Sequence, residues 1–217
     1  MLFLPFSFLF FLFFLLLLPV IFIFIQIGLV STAFVKLGLT PTTGILLFFL
    51  SLIGSTINIP IAEKRIDSIP PPPSFSTFFG CLPFWEDKII IAINVGGALI
   101  PLLLTLYLLP KVWLPNFLIA VGIITVVCYV LATPVRGAGI MLPAFIPPII
   151  ASILALILAP NNPAPLAYSA GVVGTLMGAD ILHLPQIEKI GAGFISIGGA
   201  GIYDGIYLVG IISALLL

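Results

Sequence analysis

Residues 2–25 read LFLPFSFLFFLFFLLLLPVIFIFI, without one charged side chain. As a helix this run reaches about 36 Å, enough to cross roughly 30 Å of hydrocarbon. It lacks a basic leader region, and it exceeds the roughly 7–15 apolar residues of a secretory signal. We therefore read it as a first transmembrane helix rather than a cleaved leader.

The rest of the chain has the same character. Of 217 residues, 62% are hydrophobic and 6% are charged. A soluble domain carries about 25% charged residues, so seven basic and seven acidic side chains cannot clothe a water-facing surface. The formal net charge is zero, which argues against nucleic acid as a partner. The expected partner is the lipid bilayer, with a further membrane protein or a second copy left open.

Length and punctuation predict about seven spans. They fall near residues 2–29, 42–62, 89–109, 116–133, 140–159, 165–184 and 201–217. The expected fold class is all-α, a polytopic transmembrane helix bundle in one integral membrane domain over residues 1–217. Its long loop, 63–88, is polar and rich in proline, with a stiff run from Pro70 to Pro73. Trp85 and Trp113 lie beside charged residues and read as interfacial anchors. With the N-terminus inside, Lys64, Arg65, Lys88, Arg136 and Lys189 fall in cytoplasmic loops, and Lys36 and Lys111 outside. The positive-inside rule then favours a cell membrane protein with a cytoplasmic N-terminus.

Ten of the twenty glycines lie between Gly171 and Gly210. The stretch Gly191–Gly201 is apolar, poor at forming helix and too short to span. It reads as a broken or re-entrant segment before the last helix, or as a close helix contact. Gly171, Gly174 and Gly178 have the spacing of a helix-packing face.

The polar residues expected at depth are few. Asn58 ends the predicted second helix, Asn94 begins the third, and Arg136 joins the fourth and fifth. Asp180 and His183 end the sixth, and Asp204 begins the seventh. In an up-and-down bundle all six fall towards one side of the membrane. Asp180 and Asp204 are flanked by apolar residues. A carboxylate at bilayer depth costs about 2.5–3.5 kcal/mol and is by default a functional hypothesis. The plainer readings are a hydrated carboxylate at headgroup level for either, and for Asp204 a favourable place at a helix N-terminus. His183 follows Asp180 by three residues and shares its helix face, yet a lone histidine is more often structural. Arg136 reads as a partner for a carboxylate or as a positive-inside anchor. One histidine and two distant aspartates make no metal signature, and no cofactor is expected.

The stretches Gly54–Pro60, Asn94–Pro101, Pro143–Pro148, Gly174–Asp180 and Ser196–Ile206 resemble an uncharacterised prokaryotic family of integral membrane proteins, a domain of unknown function (DUF1614). The resemblance covers nearly the whole chain and puts both aspartates inside signature stretches. It implies no activity.

Three functions fit this pattern. The first is a small transporter or ion- or proton-translocating protein using Asp180, Asp204, Asn58 and Asn94, with His183 and Arg136 nearby. The second is an accessory or structural subunit of a membrane complex. The third is an intramembrane aspartyl protease with Asp180 and Asp204 as catalytic residues, since paired carboxylates can share a proton and activate water. Gly178-Ala179-Asp180 and Tyr203-Asp204 look only loosely like the motifs of presenilin-type and prepilin-type proteases.

Overall fold

The computed structural model describes residues 6–65, 88–135, 139–186, 194–199, 208–213 and 217. Six α-helices are described: α1 (Phe6–Lys36), α2 (Pro41–Gly54), α3 (Ile100–Leu108), α4 (Leu114–Leu131), α5 (Ile146–Leu158) and α6 (Pro163–Thr175). Five strands accompany them: β1 (Asn58–Arg65), β2 (Lys88–Asn94), β3 (Thr133–Val135), β4 (Gly139–Met141) and β5 (Phe194–Ile197). The chain is mostly helical but not all-α.

Among the described residues, three helical stretches are long and apolar enough to cross a membrane: Phe10–Lys36, Leu114–Leu131 and Pro163–Gln186. This is fewer than the seven expected; the predicted span 140–159 starts in β4 and is helix only over the 13 residues of Ile146–Leu158, and the predicted span 201–217 lies mostly outside the described residues. The predicted span 42–62 is helix only to Gly54 and then becomes β1. The predicted span 89–109 starts as β2, turns through a π-helical segment (Val95–Leu99), and only then enters α3. The 14 residues of α2 rise about 21 Å, short of the hydrocarbon thickness. The cause is visible in the residues. A sliding measure of apolarity sees only the total, whereas Ile89, Ile90, Ile91 and Ile93 are β-branched and favour extended backbone. Pro60 would disrupt a helix and sits instead on the outer strand of the sheet.

The main sheet has the order β1-β2-β5. β1 and β2 are antiparallel, with Asn58 opposite Asn94 and an irregularity between Pro60 and Ala62. β2 and β5 are parallel, with Ala92 opposite Ser196 and Ile93 opposite Ile197. β3 and β4 form a small antiparallel pair.

Helix α6 is the centre of the bundle, packed against α3, α4 and α5 and buried over most of its length. Its small residues permit this. A Cβ at Gly174 would come 2.7 Å from Ile124, and one at Gly178 would come 2.8 Å from the Cβ of Cys128. The backbones of α4 and α6 therefore meet closely, as small residues allow between apolar helices. Of the Gly-rich run before the expected last helix, residues 194–199 are described. They form β5 and a turn at Gly198, whose φ is +72°.

Candidate functional site: a polar node where helices break

Helix α2 stops at Gly54 because another backbone lies against it. A Cβ there would be 3.0 Å from the Gly96 nitrogen, and Ser51 Oγ donates to the Gly96 carbonyl at 2.6 Å. The chain turns, Ile57 N–H closing on the Gly54 carbonyl at 2.9 Å, and enters β1 at Asn58. On the neighbouring strand β2 ends at Asn94, whose side chain caps the π-helical segment by accepting from Gly97 N–H at 2.7 Å.

The Asn94 amide uses its other face as well. Its Nδ2 donates to the Ser55 carbonyl at 2.7 Å and to Asn58 Oδ1 at 3.1 Å. Only 2% of Asn94 is exposed, so these bonds replace water that it has lost. Asn58 Oδ1 also accepts from Ser196 Oγ at 2.6 Å. The two asparagines thus do not bridge helices as helix-end residues. They face each other across β1 and β2 and tie in β5 through Ser196.

Asp180 reaches the same place from α6. The helix widens into a π-helical segment over Leu176–Asp180 and then tightens into a 3-10 turn over Ile181–His183. Asp180 is 4% exposed, and its Oδ2 accepts from Gly198 N–H at 2.7 Å. Gly198 in turn presses on the π-helical segment after β2. A Cβ on it would stand 2.7 Å from the Gly97 carbonyl carbon and 2.8 Å from the Ala98 nitrogen. Asp180, Gly198, Gly97, Asn94, Asn58 and Ser196 therefore form one continuous chain of contacts. It joins the breaks after α2, before α3 and after α6.

His183, 3% exposed, belongs to a different arrangement. Its Nδ1 lies 3.0 Å from the Gly178 carbonyl, and its ring packs on Tyr129 with centroids 4.7 Å apart. Arg136 and Asp204 lie outside the described residues. Among the described residues no three of His, Cys, Asp and Glu converge as a metal site. Ser196, Ser51 and the Gly198 N–H were not singled out by sequence reasoning. Ser196 lies inside the Gly-rich run, but nothing local signals its bond to a residue 138 positions away.

Fold and site together define a predominantly helical chain with apolar helices compatible with a membrane location, and one polar node where broken helices and strands meet. A family model described as a protein of unknown function (DUF1614) matches residues 52–216, and the chain belongs to that family. The match leaves out α1 and most of α2. No curated protein and no solved structure matches the chain.

Proposed function

We propose that this protein moves protons or a small monovalent cation across a prokaryotic cell membrane, and that Asp180 binds the transported ion. The observation that carries this reading is Asp180 itself, buried at a helix break with a backbone N–H as its described partner. A buried carboxylate is costly unless its charge is paired or neutralised. A proton or a cation is the counterpart that a single N–H does not supply. Helix breaks are where transporters gather the backbone groups that hold ions. The gradient of exposure supports a one-sided entry, since Asn58 is exposed while Asn94 and Asp180 are buried.

The test is ion flux into liposomes holding the purified full chain, under an imposed potential, with a pH-sensitive dye and with sodium and potassium arms. Wild type should dissipate the gradient, and Asp180→Asn should not, while eluting as wild type does and melting no more than about 4 °C below it. An Asp180→Asn protein as active as wild type overturns the reading, as does wild type no faster than empty liposomes.

The accessory-subunit alternative draws on α1, where an 18-residue stretch of Phe10–Lys36 has no buried residue. Such a helix leaves a large face for a neighbour, and copurification of a stoichiometric membrane partner would favour it. The protease alternative requires Asp204 beside Asp180, and cleavage of a membrane substrate lost on replacing either would favour it.

A further inference from the structure

The turn after α1 and the helices α2 and α3 leave a cavity of about 560 Å³. That volume lies in the range of roughly 300–1,000 Å³ typical of small-molecule sites. Its walls separate by chemistry. Leu47, Leu50, Leu103 and Leu104 make it apolar, while Thr40 and Tyr107 bring polar groups to it. Lys111 stands at that polar end. Its Nζ is 5.0 Å above the Tyr107 ring and donates to the Leu37 carbonyl at 3.1 Å. The same Nζ lies 2.8 Å from where a Cβ on Gly38 would be, and Gly38 lines the cavity.

We propose that this cavity is a binding site for an anionic phospholipid, with an acyl chain against the leucines and the phosphate at Lys111. Charge complementarity selects the occupant. An ammonium has three N–H groups, and the described bond to Leu37 uses one. The tyrosine face holds the cation in place without neutralising it. Trp113, 69% exposed and two residues beyond Lys111, marks this end as interfacial, because tryptophan concentrates at headgroup level. A charged rim at the headgroups and an apolar trough beneath it match the two halves of a lipid. The bound lipid would also cover the seam between α2 and α3, a role independent of ion movement at Asp180.

The experiment is native mass spectrometry of the full chain, titrated with phosphatidylglycerol and with phosphatidylcholine of the same acyl chains. Wild type should hold phosphatidylglycerol about fivefold more tightly, the effect of one lysine near a membrane surface. Lys111→Gln, an exposed change that the fold should tolerate, should bring the two lipids to parity. Leu47→Trp, which fills the trough, should weaken both. Equal affinity of wild type for the two lipids overturns the proposal. So does a preference that survives Lys111→Gln, or full retention of both lipids by Leu47→Trp, which would mark them as annular lipid only.

Discussion

Gly198→Ala is the most informative single change at the node, because three separate costs meet there. The residue holds φ at +72°, a left-handed conformation that costs an L-residue roughly 1–2 kcal/mol. Its new methyl group would stand 2.7 Å from the Gly97 carbonyl carbon and 2.8 Å from both the nitrogen and the Cβ of Ala98. Two of these three atoms are backbone, so rotation of a side chain cannot relieve the contact, and overpacking typically costs about 1–3 kcal/mol. If β5 moves away to make room, Asp180 loses its 2.7 Å bond from Gly198 N–H, worth about 1.5–3 kcal/mol for a charged acceptor. Relaxation makes these costs partly exclusive, and the expected loss is about 3–5 kcal/mol. Asp180→Asn should cost much less, about 1 kcal/mol, because its amide oxygen still accepts from Gly198 N–H. Gly122→Ala is the control, since a Cβ there meets nothing within 4 Å. Reversible denaturation in mild detergent, followed by circular dichroism, would rank the three. A Gly198→Ala protein as stable as Asp180→Asn would refute the packing of Gly198 on the segment after β2.

Asn94→Ala should destabilise by about 2–4 kcal/mol, since it strands the buried Gly97 N–H and the Ser55 carbonyl together, and should exceed Asn58→Ala in the same denaturation assay. Thr105→Val should be neutral or stabilising by up to about 1 kcal/mol, because the Thr105 hydroxyl is buried without a hydrogen-bond partner among the described residues. A melting temperature lowered by Thr105→Val would mean that the hydroxyl has a partner after all. In liposomes, Asn94→Ala should slow ion flux less than Asp180→Asn does, because it disturbs the node's frame and leaves the carboxylate in place.

Apolar length made the long helices legible. The run before Lys36, the helix from Leu114 to Leu131 and the stretch from Pro163 to Gln186 all lie where hydropathy puts spans. The same measure misjudged 42–62, 89–109 and the start of 140–159, because total apolarity is blind to backbone preference, which the β-branched Ile89, Ile90, Ile91 and Ile93 turn towards strand and Pro60 turns away from helix. Asp180, Asn58 and Asn94 stood out as polar residues in apolar surroundings. Their geometry was less accessible, since Asn58 and Asn94 were expected at helix ends and stand instead as partners across a strand pair. His183 shares a helix segment with Asp180, as its spacing suggested, but its ring goes to the Gly178 carbonyl and Tyr129.

What the chain's residues determine alone is therefore the solvent they tolerate and the few places where charge is set against it, because transfer from water is a local property summed residue by residue. Which polar groups meet was decided by the tertiary structure. The register of β1 on β2 and of β2 on β5 brings Asn58, Asn94 and Ser196 to one point. The close approach of Gly198 to Gly97 then holds the Asp180 carboxylate beside them. Hydrogen bonds between segments this distant in the chain depend on backbone placement to a few tenths of an ångström, and no local pattern of side chains encodes that.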